Sequence, residues 1–271
     1  MSERRSKHMD NFVDERDQEL LARDKYTFFV MKRVLSLEGN VLLSDHEKIV
    51  LCYTGAPYPV WIWTDDGIDE ADMERAYQLA KDNAFLDGQH SFNIKYSLAD
   101  YFIRRAASDG IKLAIKTNMF AYDCPDPVVP TSEVSGQIYQ VRPNDLEELV
   151  DIIDKMYKET GLEQKDRAGY IGDAKDFIAS GKAYFWKDGE GNNVASCKYT
   201  PNGDMASLNL VYTRPEHRRK HYAENLVYQV TMKAKEEGYL PMLYTDADYV
   251  ASNACYEKIG YVLRGKLCTI R

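Results

Sequence analysis

Two stretches of the chain carry side chains at spacings that chemistry could use. The first is Val211-Tyr212-Thr213-Arg214-Pro215-Glu216-His217-Arg218-Arg219-Lys220-His221-Tyr222-Ala223. The apolar run Leu208 to Tyr212 reads as a buried strand, and Pro215 ends it because proline cannot donate to a ladder. Three consecutive cations follow. Beyond them Ala223, Leu226, Val227, Val230 and Ala234 recur at helical spacing, and Gly238 reads as the C-cap. Strand, basic loop and amphipathic helix in that order aim free N–H groups and a positive helix end at one point. The chemistry this suits is anion binding, most naturally of a pyrophosphate. Taken alone, the loop reads equally well as a solvated cationic surface. The second stretch is Leu243-Tyr244-Thr245-Asp246, then Ser252-Asn253-Ala254-Cys255-Tyr256-Glu257-Lys258-Ile259-Gly260-Tyr261. It reads as a short strand, a helix ending at Gly260, and another strand. Tyr256 offers a phenol whose ordinary pKa near ~10 keeps its proton available at neutral pH. The bland alternative is a packing tyrosine, one of 20 in the chain.

Together the two stretches resemble the GNAT superfamily of N-acetyltransferases. Arg218, His221 and Ala223 stand where the family's acyl-CoA motif has Gln/Arg-x-x-Gly-x-Gly/Ala, with His221 in place of glycine. Tyr256-Glu257-Lys258-Ile259-Gly260-Tyr261 is similar to the family's C-terminal signature. The close resemblance covers about 60 residues of a usual domain of ~100–200. It implies that Arg218, Arg219, Lys220, His221, Tyr222, Ala223 and Glu224 hold a pyrophosphate, mainly through backbone N–H groups. It implies that Val211, Tyr212 and Thr213 pair with a pantetheine arm and polarise the thioester carbonyl. Asn253 would contact the cofactor, and Tyr256 would protonate the departing thiolate. Tyr249 occupies a place where related sequences often have asparagine. The implied reaction is acetyl transfer from acetyl-CoA to a primary amine of a small-molecule acceptor, by direct attack in a ternary complex and without a metal. Two other readings stay open: an acyl-CoA-binding sensor or scaffold, and an aminoacyl or other acyl transferase built from tandem GNAT-like halves.

No residue marks itself as the general base. Asp246, Asp248 and Glu216 lie near the motifs but read as caps or solvated charges. Neighbouring cations disfavour the charged forms of His217 and His221, and neither is assigned as base. Cys255 reads as a helix cysteine rather than a nucleophile.

The elements that must position these residues follow from periodicity. The second half reads as a strand at Gln137–Val141, a helix capped by Asn144 with Glu147, and a second helix over Asp173–Ser180. A hairpin of Ala183–Lys187 with Asn193–Tyr199 comes next, then the strand from Met205 and the basic loop. The first half alternates in the same way. Helix is expected over Glu15–Leu37 and Asp69–Phe85, and from Ser97 to Ser108. Strands are expected at Lys48–Tyr53, Val60–Trp63, Ser91–Tyr96 and Ile111–Phe120. Trp61 and Trp63 could wall a ligand site, but more often such a pair packs. Three prolines within Cys124–Gly136 suggest an extended linker. The expected organisation is an α/β chain with a mixed sheet. Residues 1–124 would form an N-terminal domain, a degenerate GNAT-like copy; 125–135 would be the linker, and 136–271 the acetyltransferase domain.

Composition narrows the partners. The chain has 271 residues, 44% of them apolar, which suffices for a sizeable core. A net charge of −8 argues against nucleic acid or an anionic membrane as the main partner. No apolar run is long enough to span a bilayer, and the polar Met1–Asp10 segment does not read as a signal peptide. The five cysteines are scattered, which suggests reduced thiols, a cytoplasmic location and no zinc site. The histidines show no ligand spacing.

Overall fold

The computed structural model describes residues 9–161 and 164–271. Its contacts define two compact units. The first runs to Ala121 and adds Thr245–Asp248 and Arg264–Arg271; the second comprises Tyr122–Tyr244 and Tyr249–Leu263.

The first unit contains α1 (Glu15–Ala22), α2 (Phe29–Val34), β1 (Val41–Ser44), β2 (Ile49–Tyr53), β3 (Val60–Thr64), α3 (Glu70–Asp82), β4 (Phe92–Ile94), α4 (Tyr96–Ser108) and most of β5 (Ile115–Asp123). Strands β1, β2 and β3 pair antiparallel, and α3 then returns the chain to lay β4 parallel to β3. The chain's last strand, β11 (Val262–Ile270), pairs antiparallel with β4. Apolar positions of α3 and α4, including Ala76, Tyr77, Ala80, Leu98 and Phe102, pack on Leu51, Ile62 and Phe92 of the sheet. The helix expected over Glu15–Leu37 is two helices. Asp24, in the turn between them, accepts hydrogen bonds from Trp63 Nε1 at 2.8 Å and Lys95 Nζ at 2.6 Å, and these tertiary bonds override local helix preference. Trp61 and Trp63 are both buried, so they pack rather than wall a site. Helix α4 starts at Tyr96 with Lys95 as its N-cap, not at Ser97. His46, whose spacing signals nothing, meets Asp17 at 2.7 Å, and ligand-type atoms of Asp14, Asp17 and His46 lie within 4.8 Å of one another. Internal bonds account for that cluster: Asp17 also takes the Ser44 hydroxyl, and Arg16 grips Asp14.

The second unit contains β6 (Gln137–Gln140), α5 (Leu146–Thr160), α6 (Arg167–Ser180), β7 (Ala183–Lys187), β8 (Asn193–Asn202), β9 (Met205–Thr213), α7 (Tyr222–Glu236), β10 (Leu240–Asp246) and α8 (Val250–Lys258). Its strand order is β10-β9-β8-β7-β6, antiparallel except for the parallel β9–β10 pair. The apolar face of α5, with Leu149, Val150, Ile152 and Ile153, packs on Phe185 and Leu210. Asn144 does not cap α5. A short 3₁₀ turn at Pro143–Asp145 leads in, and Asp145 accepts the Arg142 N–H at 2.8 Å. Helix α6 begins earlier than its apolar pattern suggests because Asp166 caps it, accepting the Gly169 N–H at 2.7 Å.

The stretch expected as a linker is part of the second unit. The Val128 N–H donates to Ile259 O at 2.7 Å, Asn225 Nδ2 donates to Ser132 O at 3.2 Å, and Lys235 reaches Pro125 O. Gly260 permits this close approach. Its φ is +97°, and a Cβ there would lie 2.5 Å from Asp126 O. The division into units therefore differs from a linear boundary at 125–135. Proline keeps the segment extended, but extended backbone can dock as readily as it can span.

Candidate active site

The site is built where β9 and β10 part. Their register pairs Leu240 with Met205, Pro241 with Ala206 and Met242 with Ser207, and pairing ends there. The edge of β9 from Leu208 to Thr213 is thus left without a strand partner on that side. A bulge sharpens the departure. Ser196 pairs with Tyr212 and Lys198 with Asn209, so Leu210 and Val211 together face Cys197. Leu210 adopts φ +55°, and the Ser196 hydroxyl holds its carbonyl at 2.8 Å. Of the residues singled out from the sequence, Val211 lies in this bulge and Tyr212 and Thr213 just past it.

The basic loop follows. Arg219 and His221 have φ of +58° and +60°, while Lys220 between them is not in the left-handed region. Such alternation turns successive N–H groups toward one concavity, an anion nest. No glycine supplies these conformations, although each costs an ordinary side chain roughly 1–2 kcal/mol; histidine is among the residues that tolerate them better. The first intrahelical bond of α7 runs from Asn225 N–H to His221 O at 3.2 Å, and His221 gives no side-chain cap. The N–H groups of Tyr222, Ala223 and Glu224 therefore have no intrahelical acceptor. Among the described residues no backbone carbonyl accepts from Arg219, Lys220 or His221 either. Six consecutive donors at the positive end of a 15-residue helix point to an anion.

The side chains divide. Arg219, Lys220 and His221 are exposed. Arg218 is engaged: its Nε donates to Thr213 O at 3.0 Å, and its guanidinium pairs with Glu159 at 2.5 Å. It braces the end of β9 and the end of α5 to the loop rather than standing free for a phosphate. Glu159 also accepts from the Tyr249 hydroxyl at 3.3 Å, so Tyr249 joins this brace where related sequences often have asparagine. Glu224 is buried, with its carboxylate 3.0 Å from His221 Nδ1. Glu159 and the Leu210 bulge escaped the sequence reading. Glu159 is a polar residue at the end of an amphipathic helix, and a bulge leaves no mark in apolar alternation.

Tyr256 sits on α8, buried, with its ring edge-on to Tyr261 at 5.8 Å. Tyr261 in turn hydrogen-bonds Thr231 of α7 at 2.7 Å, which fixes α8 against α7. Burial raises the Tyr256 phenol well above its ordinary pKa. Its hydroxyl makes no hydrogen bond among the described residues, so its proton is free for a ligand. Asn253, also buried, lies one turn earlier on the same helix. Cys255 is pushed up to about 11 by burial and is therefore a thiol, not a thiolate, at neutral pH.

A splayed parallel strand pair, a row of open N–H donors at a helix start and a phenol on the next helix thus lie within one α/β unit. Residues 146–261, less than half of the chain and mostly in the second unit, match the family model of the acetyltransferase (GNAT) family, which supports an acyltransferase domain there. The fold agrees over almost the whole length. An acetyltransferase from the GNAT family of Colwellia psychrerythraea is 10% identical with a TM-score of 0.60, covering 97% of this chain and 98% of its own. A GCN5-related N-acetyltransferase from Sphaerobacter thermophilus, also 10% identical, gives 0.65 with 97% and 94% covered. A GCN5-related N-acetyltransferase from Kribbella flavida, 17% identical, gives 0.56 with 82% and 86% covered. No curated relative matches the sequence. Among the described residues no helix is long and apolar enough to cross a membrane.

Proposed function

We propose that the protein is an N-acetyltransferase that moves an acetyl group from acetyl-CoA to the primary amine of a small molecule by direct attack. The observation that carries this is the run of six unpaired N–H groups from Arg219 to Glu224, opening beside the unpaired edge of β9. The nest suits a pyrophosphate, and the strand edge from Val211 to Thr213 suits an amide-bearing arm that adds as a strand does. A backbone N–H on that edge polarises the thioester carbonyl. Tyr256 supplies the proton that the leaving thiolate takes up, and its raised pKa keeps that proton in place. Asn253 orients the arm from the α8 side. No covalent enzyme intermediate is needed, since Cys255 stays a thiol. The cytoplasm is the proposed location, from the reduced cysteines.

The test is calorimetric titration of the full chain with acetyl-CoA, followed by thiol release with a panel of primary amines. Saturable binding with acceptor-dependent release supports the proposal. Absence of binding overturns it. Binding without turnover on any amine points to the second reading, an acyl-CoA sensor, which one observation favours: the Arg218 guanidinium is bound to Glu159 and Thr213 instead of being free for phosphate.

A further inference from the structure

The open edge of β9 ends in an acceptor that is already in use. The Arg214 N–H donates to Val194 O of β8 at 3.0 Å. In a trans peptide the N–H and the preceding C=O point opposite ways. Thr213 O therefore points away from β8, to the side on which β10 has already parted. It is the last acceptor on the edge proposed for the donor's arm. Arg218 Nε donates to it at 3.0 Å. A side chain of the basic loop thus makes the bond that an amide of the arm would make on adding as a strand does.

Two further elements hold the guanidinium in that position. Arg218 Nη2 pairs with Glu159 Oε2 at 2.5 Å, and the Tyr249 hydroxyl donates to Glu159 Oε1 at 3.3 Å. Glu159 is next to last in α5, and Tyr249 directly precedes α8. Helix α5 has no use of its own for a carboxylate there, since a negative charge in the last turn opposes the helix dipole. The side chains of Arg218 and Glu159 are 36% and 33% exposed, a setting in which an ion pair contributes little and opens readily. The contact is therefore weak, lies over a binding edge and is aimed at a backbone acceptor. Those are the properties of a latch, not of a buried strut.

We infer that Glu159 is a positioning residue that latches Arg218 over the end of the donor groove. Arg218 and the donor's arm compete for Thr213 O, and the arm seats fully only when the guanidinium lets go. Glu159 sets that competition by holding Arg218 in place. Weakening its grip helps the donor to bind, the opposite of what a supporting brace predicts. The inference rests on the acyl-CoA reading of the groove.

The test measures acetyl-CoA binding to the full chain, by calorimetry for affinity and by stopped-flow fluorescence for rates, in the parent, Glu159→Gln and Glu159→Asp. Glutamine keeps the shape and loses the charge. Aspartate keeps the charge and withdraws it by one methylene, so a folding failure of one variant leaves the other to decide. The expected result is a Kd lowered about threefold to fivefold in both, because apparent affinity scales with the fraction of molecules whose latch is open. The association rate should rise by the same factor while the dissociation rate stays unchanged. A brace that merely supports the loop has no means of speeding association. Unchanged or weaker binding in both variants, with the parent binding, overturns the latch and leaves the acyl-CoA reading intact. No binding by any of the three overturns both.

Discussion

Both units contain the same crossover: a strand, a helix, and a second strand parallel to the first. In the first unit it is β3-α3-β4 and in the second β9-α7-β10. What differs is what fills the start of the helix. The turn into α3 is Asp65-Asp66-Gly67-Ile68-Asp69, and Asp69 forms a full capping box with Asp72, accepting its N–H at 2.9 Å and donating its own at 3.4 Å. Carboxylates thus occupy the donors of α3 from within the chain. The turn into α7 is cationic, makes no side-chain cap and adopts two left-handed residues instead. One topology therefore yields a closed, self-capped helix in one unit and a helix start with open N–H donors in the other. The distinction lies in a handful of turn residues, not in the fold.

The sharpest way to break this contrast is to close the second helix as the first is closed. His221→Asp places a carboxylate at the N-cap of α7, where aspartate is a preferred cap and tolerates the left-handed backbone. A new negative charge a few ångströms from a bound pyrophosphate costs about 3 kcal/mol, or about 100-fold in acetyl-CoA affinity. Calorimetric Kd for the variant and the parent decides it. An unchanged Kd means that the nest is not the anion site.

Tyr256→Phe comes next. It removes the hydroxyl and keeps the ring that packs on Tyr261. The expected loss is about 10²-fold in turnover, with Kd for acetyl-CoA nearly unchanged. The raised pKa adds a pH signature. A group titrating above its ordinary value stays protonated as pH rises through 8 and 9, so the parent enzyme should show no falling alkaline limb from this residue in that range. Such a limb, lost in the phenylalanine variant, would mean that the phenol ionises there.

The first unit supplies the complementary test. Asp69→Ala opens the start of α3 and should cost about 1 kcal/mol of stability. At this chain length that is a fall of roughly 2–4 °C in Tm, with acetyl-CoA affinity unaltered. A changed affinity would mean that the first unit's crossover takes part in cofactor binding.

How much of this was legible follows from what leaves a mark in a one-dimensional pattern. The crossover β9-α7-β10 was legible because apolar runs and helical spacing record burial directly. The loop before α7 and the helix that bears Tyr256 were legible as elements because their residue types repeat a known order. The bulge at Leu210 was not, because an extra residue in a strand changes pairing and not composition. The Glu159 brace was not, because it joins residues 59 apart in the chain. The docking of 125–135 was not, because the prolines that mark a linker equally mark a strap. The fate of the last eight residues, which belong with the first unit although the motif precedes them, rests on the pairing of β11 with β4, a tertiary contact that no local signal encodes.

The smallest effect is expected at the residue that departs most from the family pattern. His221 holds φ +60° at the mouth of the nest. Replacing it with glycine removes a left-handed penalty of roughly 1–2 kcal/mol from the folded loop. It also adds conformational freedom to the unfolded chain, which costs roughly 0.4–1 kcal/mol, and it deletes the contact with Glu224 at 3.0 Å. These terms nearly cancel, so stability should move by less than about 1 kcal/mol in either direction. Acetyl-CoA affinity should stay equal or tighten, because the backbone donors remain and the approach to them widens. The comparison with His221→Asp is then informative within one position, since both changes remove the imidazole and only one adds a charge. If His221→Gly weakens acetyl-CoA binding by as much as tenfold, the imidazole itself contacts the anion. The nest would then be one built around a side chain as well as the backbone, and the parallel with the family's glycine would end at the backbone angle.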